Sequence, residues 1–185
     1  MDYKIYQQSR DAAWRLLIDM NISELPVRVT KICKELNIII RMYEPSGDTD
    51  GYCCKMNGQY VIFINKNVSL QRQRFTAAHE LGHIILGHIG KYELTNREPS
   101  AADNPIEQAA NVFAVRLLAP ACVLWGLGVT NAGQIAKVCD ISMQSAEFRM
   151  TRMSELMKRN KFLSSPLESQ VYKQFEEYIN KNKFI

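Results

Sequence analysis

Long apolar runs, pairable cysteines and histidines are what this 185-residue chain has least of. Uninterrupted apolar stretches such as Ile38–Ile40 and Val61–Ile64 are three and four residues long, against the roughly 20 that a spanning helix requires. No transmembrane helix and no membrane partner are therefore expected. Residues 1–20 intersperse Asp2, Lys4, Gln7, Arg10, Asp11 and Arg15 among their apolar positions, so the continuous apolar segment of a secretory signal is missing and a cytoplasmic location is expected. The five cysteines are odd in number and scattered, and Cys53 and Cys54 are adjacent, which disfavours a bridge between them. Reduced thiols of a cytosol fit that pattern. Repeats and low-complexity linkers are also lacking.

What is present is a chain with 46% hydrophobic and 23% charged residues. That composition excludes a disordered or fibrous protein and suits one globular domain with at most a small appendage. The net charge of +4 is uneven: residues 149–185 hold eight Lys/Arg against four Asp/Glu, whereas residues 1–148 hold fifteen of each. A basic excess of this size reads as a solvated helical surface before it reads as a nucleic-acid footprint.

Periodicity predicts an amphipathic helix over residues 1–20, with Tyr6, Trp14, Leu17 and Ile18 available to pack. A second helix is expected from Pro26, carrying Val29, Ile32, Cys33 and Leu36. Strands follow at 38–43, 51–55 and 59–65, the last two flanking Asn57-Gly58, a strong hairpin signal. Ser69 is placed to cap a long helix reaching about Gly87, and Asp103 or Asn104 to cap another that opens with Pro105 and stops before Pro120. Residues 90–102 read as an exposed loop. Two helices are expected within 130–160, divided at Asp140–Ser142, and Pro166 opens a last one bearing Leu167, Val171, Phe175, Tyr178 and Ile179.

The chemistry concentrates in Arg74-Phe-Thr-Ala-Ala-His79-Glu80-Leu-Gly-His83, an H-E-x-x-H sequence within the third predicted helix that uses two of the three histidines. At 100° per residue, His79 and His83 lie 40° apart on one face, where both imidazoles reach a single cation. Glu80 projects beside them, positioned to accept a proton from attacking water and pass it to a leaving amine. An ordinary helix burying these three groups without a metal would bear a large desolvation cost. A catalytic zinc keeps three protein ligands, so one more is needed. His88 is tested first: on a continuous helix it points about 180° away from His79, and Leu86 and Ile89 break the H-x-x-G-x-x-H continuation of the metzincins. His88 is therefore assigned as a cap or core residue. Glu107, in Pro105-Ile-Glu107-Gln-Ala-Ala-Asn111, is the better third ligand, with Asn111 four residues on placed to hold a ligating histidine from outside. Glu93, Glu98 and Asp103 remain weaker options for that ligand. The two-His, one-carboxylate set suits one catalytic zinc ion, and manganese or iron could occupy it too.

These residues, with Leu86-Gly-His88, Glu107-Gln-Ala-Ala-Asn-Val-Phe-Ala114 and Leu117-Leu-Ala-Pro120, resemble the ImmA/IrrE family of metallopeptidases, over about residues 26–157. Ala119 stands where that family often has Met, and Ala109 where it often has an acid. The resemblance implies a cytoplasmic zinc peptidase that cuts a helix-turn-helix repressor and relieves repression of a phage or mobile element. It also implies a short form without a sensor-like extension after Ile185. The expected fold is α+β and zincin-like, of gluzincin type: a core over residues 1–128 and a helical segment over 129–185 that packs with it as one unit. Residues 134–149 resemble a helix-turn-helix whose second helix offers Gln144, Glu147 and Arg149; packing or substrate recognition is favoured there over DNA contact. The competing class is a nonproteolytic metal-containing regulator that binds DNA or a repressor through these helices. One edge of the hairpin carrying Tyr60–Asn65 is a docking edge for extended substrate. Arg74, Tyr52 and Tyr60 are open choices for stabilising the oxyanion, and a Cys53 or Cys54 thiolate as a silencing ligand is weighed below a plain strand-packing role.

Overall fold

The computed structural model of the chain describes residues 2–90 and 104–184. Its described residues form a mixed α+β protein in the order α1 (Tyr3–Asp19), α2 (Val29–Glu35), β1 (Ile39–Tyr43), β2 (Gly51–Met56), β3 (Gln59–Asn65), α3 (Leu70–Ile85), α4 (Pro105–Leu118), α5 (Ala121–Gly126), α6 (Ala132–Cys139), α7 (Met143–Lys158), α8 (Pro166–Gln174) and α9 (Glu176–Asn182). Two compact units share these elements: Met1–Ala12 with Arg28–Ala114, and Ala13–Val27 with Val115–Ile185. The division expected after residue 128 falls inside the second unit.

In the first unit a three-stranded sheet has the order β1-β3-β2. β1 runs parallel to β3, with Ile39 opposite Val61 and Tyr43 opposite Asn65. β2 runs antiparallel to β3, with Gly51 opposite Ile64 and Met56 opposite Gln59. Val61, Ile62 and Ile64 are all buried, as befits a central strand covered without the alternation of an exposed sheet. Asn57 and Gly58 both take positive φ, 49° and 81°, which is the type I′ geometry that closes a two-residue hairpin. Because β3 is interior, β2 is the hairpin strand that lies at the edge of the sheet among the described residues. α2 begins at Val29 and not at Pro26, since Arg28 is still outside the helical region (φ −91°, ψ 86°).

α3 lies against β2 and β3. It starts where the Ser69 Oγ accepts the Arg72 N–H at 3.3 Å, and Arg72 Nε donates to Asp50 Oδ2 at 2.8 Å, tying the first turn of α3 to the residue before β2. A Cβ on Gly51 would stand 2.5 Å from both the Phe63 carbonyl oxygen and Thr76 Cγ2. Only glycine lets the strand approach α3 this closely, one turn before His79 and Glu80. α4 is capped by Asn104, whose Oδ1 accepts the Ile106 N–H at 2.9 Å. Asp103, the other expected cap, and the loop expected at 91–102 lie outside the described residues. A Cβ on Gly82 would be 3.0 Å from Phe113 Cδ1 and 3.3 Å from the Ala110 carbonyl oxygen, so glycine also permits the close approach of α3 and α4.

The second unit is helical. The break at Pro120 is followed at once by the short α5, which periodicity alone does not announce. The single C-terminal helix expected from Pro166 is two, divided at Phe175, whose N–H bonds to the carbonyls of both Val171 and Tyr172. Gln174 Nε2 donates to the carbonyls of Leu17 and Ile22 at 2.8 and 2.6 Å, fastening α8 to the turn after α1. In the α6–α7 pair Asp140 takes the left-handed conformation (φ 50°), and Ser142 Oγ accepts the Ser145 N–H. Arg149 is not on an exposed face of α7: it is 2% exposed and its Nη2 donates to the Ala119 carbonyl. The run Pro105–Gly126 is long and apolar enough in composition to cross a membrane, which counting uninterrupted runs overlooks; 78% of its most apolar window is buried inside the protein, as expected of core helices.

Gly51→Ala is expected to destabilise the protein by about 1–3 kcal/mol through overpacking against backbone. Gly47→Ala, where an added Cβ meets nothing within 4 Å, should stay within about 0.5 kcal/mol. Chemical-denaturation midpoints of the two variants test the contrast; equal midpoints would contradict the close-approach account.

Candidate metal centre

α3 brings the two histidines of the motif together because i and i+4 side chains stack along one helical face. Their Nε2 atoms are 3.0 Å apart. α4 supplies Glu107 from its first turn, with Oε2 3.1 Å from His79 Nε2 and Oε1 3.3 Å from His83 Nε2. The site is dry: the His83 side chain is 0% exposed, those of Glu107 and His79 only 11% and 12%. Zinc bonds of 2.0–2.2 Å in tetrahedral geometry put ligand atoms roughly 3.3–3.5 Å apart. The three observed separations are close to that triangle, so the donor set fits a small divalent cation. Among the described residues the metal-competent group has these three members. Glu80, 1% exposed, lies on α3 between its two histidines.

The outer nitrogens of both imidazoles are engaged. His79 Nδ1 lies 2.9 Å from Asn111 Oδ1, on the same helix as Glu107 and one turn on. Since an amide oxygen only accepts, His79 carries its proton on Nδ1 and presents a lone pair at Nε2, the tautomer a metal ligand needs. His83 Nδ1 lies 3.1 Å from His88 Nδ1. His88 is the helix-end cap that the sequence allows, its backbone N–H closing α3, and its ring also meets His83, which a wheel projection does not anticipate because the helix is not continuous there. α3 ends in a Schellman motif: Gly87 takes φ 70°, its N–H bonds to the Ile84 carbonyl, and the His88 N–H bonds to the His83 carbonyl at 2.9 Å. The signal was Leu86-Gly87 itself, a glycine stop that turns the next residue back onto the helix.

The open choices for oxyanion stabilisation separate. Tyr60 sits toward the hairpin turn opposite Lys55, whose Nζ is 5.4 Å from its ring centroid. Tyr52 stacks on Phe63 at 4.7 Å. Arg74 is half-buried on α3, five residues before His79. Tyr43, at the end of β1, was not singled out by sequence: its ring meets Tyr52 edge-on at 5.5 Å. Burial first, then the neighbouring Tyr52 and the Glu80 charge, push its phenol above the ordinary tyrosine range. Among the described residues, β2 borders a cleft of about 940 Å³ lined by Tyr43, Gly51, Tyr52, Cys54, Lys55 and Ile89. Burial pushes the Cys54 thiol up, the reverse of an activated thiolate, and Cys53 is 3% exposed; neither belongs to the metal-competent group. Glu93, Glu98 and Asp103, the alternative third ligands, lie outside the described residues.

Comparison with known proteins covers this same region. Residues 33–151 match the family model described as the IrrE N-terminal-like domain. The chain is 33% identical over 138 residues to the radiation response metalloprotease IrrE of Deinococcus deserti, an overlap of 68% of this chain and 48% of the relative. It is 34% identical over 105 residues to the radiation response metalloprotease IrrE of Deinococcus radiodurans, covering 51% of this chain and 31% of that relative. The chain thus spans about half or less of the length of these relatives.

Asn111→Ala removes the acceptor of the His79 N–H, whereas Asn111→Asp keeps one. Competition with a chromophoric chelator is expected to show zinc binding weakened about 10–100-fold in the alanine variant and largely kept in the aspartate variant. Equal affinity of Asn111→Ala and wild type would contradict the role of this contact.

Proposed function

This chain belongs to the IrrE N-terminal-like family of metallopeptidases, and from that premise we propose that it is a zinc-dependent endopeptidase with a zincin-like site of gluzincin type. The observation that carries the reading is the convergence of His79, His83 and Glu107 within 3.3 Å of one another in a dry site, with Glu80 beside them on the same helix. His79, His83 and Glu107 hold the ion, and Asn111 orients His79. A bound zinc supplies Lewis acidity, polarising the scissile carbonyl and lowering the pKa of the attacking water toward about 7. Glu80 accepts the proton of that water at its carboxylate and returns it to the departing amine nitrogen, so the C–N bond breaks without releasing an unstable amide anion. The near-complete burial of Glu80 keeps bulk water from competing for that proton.

Substrate binds as an extended segment along the free edge of β2, where main-chain hydrogen bonds continue the sheet and the cleft accepts alternate side chains. The Tyr43 phenol, kept protonated near Glu80, is added to Tyr52 and Arg74 as a donor toward the oxyanion. The substrate class, a cytoplasmic helix-turn-helix repressor of a phage or mobile element, rests on the family resemblance. A nonproteolytic regulator is the weaker reading: structural zinc sites are closed by four ligands, mostly cysteine and histidine, whereas among the described residues this donor set has three, two histidines and a glutamate, and keeps a buried glutamate alongside. Burial of Arg149 also removes a cation from the face that DNA would need.

Glu80→Gln is expected to bind zinc as wild type does while losing about 10²–10⁴-fold in cleavage rate, read by mass spectrometry of products from a panel of purified helix-turn-helix repressors. Full cleavage by this variant would overturn the proposed mechanism.

A further inference from the structure

The third histidine of the chain takes no part in the proposed ligand set, yet α3 terminates in the one way that brings it back to the site. In a Schellman motif the second residue after the cap folds over the residue three before the helix end, and those two side chains meet. Here the pair is His88 and His83. Helix ends of this kind usually bring two apolar side chains together; this one brings two imidazoles together, with Nδ1 to Nδ1 at 3.1 Å, ring centroids 5.1 Å apart and planes at 70°. Unlike the two Nε2 atoms that face a common ion, these Nδ1 atoms lie on the far side of His83 from it, so their 3.1 Å separation is a hydrogen bond in which one donates and the other accepts.

The direction of that bond follows from the other end of His83. Its Nε2 faces His79 Nε2 and the Glu107 carboxylate at 3.0 and 3.3 Å, so a ligating His83 must have a lone pair at Nε2 and its proton on Nδ1. His88 Nδ1 is then the acceptor and His88 carries its own proton on Nε2. The imidazole of His88 is half-buried and borders a cavity of about 300 Å³ whose lining includes Gln8 and Ser9 among apolar residues such as Ile5 and Ile106. The result parallels His79, whose Nδ1–H is held by Asn111 at 2.9 Å. Each ligating histidine thus has its own acceptor: one comes from α4, the other from the turn that ends α3.

We propose that His88 is a positioning residue of the metal centre, accepting the His83 Nδ1–H and thereby holding His83 in the tautomer and ring orientation that aim Nε2 at the ion. The proposal rests on the reading of His79, His83 and Glu107 as the metal ligands. It assigns a second task to Gly87: the left-handed turn there, φ 70°, both stops the helix and delivers the acceptor.

The test uses the full-length chain with His88→Leu, which keeps an apolar helix-end contact but no acceptor, and with His88→Asn and His88→Gln, which keep an amide oxygen. Zinc dissociation constants from chelator competition and melting temperatures of the metal-free proteins are measured for all four. The expected result is zinc binding weakened about 10–100-fold in His88→Leu, restored to within about threefold of wild type in at least one amide variant, with metal-free melting temperatures alike. Wild-type affinity in His88→Leu, or the same loss in all three variants, would overturn the proposal while leaving the metal site intact. Failure of the wild type itself to bind zinc would overturn the metal-site reading and this inference with it.

Discussion

Two imidazole nitrogens and a carboxylate held within 3.3 Å of one another, with almost no water around them, form an arrangement that a cation reconciles. Their mutual spacing is that of three ligands around one small ion, and in a region of low dielectric the attraction of such an ion to them is felt strongly. The geometry of the first compact unit serves to hold that triangle. α3 has the length to carry both histidines on one face, Gly82 lets α4 come near enough for Glu107 to reach them, and Gly51 lets the hairpin close over the preceding turn. Even the helix terminus takes part, since its glycine stop turns His88 toward His83.

This dependence explains which parts of the molecule were legible in the sequence. The helix carrying His79, Glu80 and His83 was readable because a 3.6-residue period and a two-histidine spacing are local facts, and Ser69 marks its start. The hairpin was readable because Asn57-Gly58 demands positive φ at both positions. Glu107 with Asn111 could be found by asking what a three-ligand metal lacks. The capping place of His88 was legible, but its ring contact with His83 was not, because a wheel projection assumes an unbroken helix while Gly87 reverses the chain at that point. Tyr43 was not singled out for a different reason: its edge-on contact with Tyr52 depends on the pairing of β1 and β2 with β3, a non-local arrangement that no spacing encodes. The free edge of the sheet likewise had to come from strand order.

The second unit shows the same limits. Asp140 and Ser142 announced a helix-turn-helix-like corner, and both behave accordingly, one left-handed and one as a cap. The buried Arg149 could not be read from α7 alone, because its carbonyl partner, Ala119, lies 30 residues earlier in the chain. Of the three residues singled out on α7, Gln144 and Glu147 are exposed and Arg149 is not.

The central claim is that His79, His83 and Glu107 hold one zinc ion. Elemental analysis of gently purified wild type beside Glu107→Ala tests it most directly. One zinc per chain in the wild type and a marked loss in the variant is the predicted result. Absence of metal from the wild type even after zinc addition would contradict the metallopeptidase account, and undiminished zinc in Glu107→Ala would contradict the assignment of the third ligand.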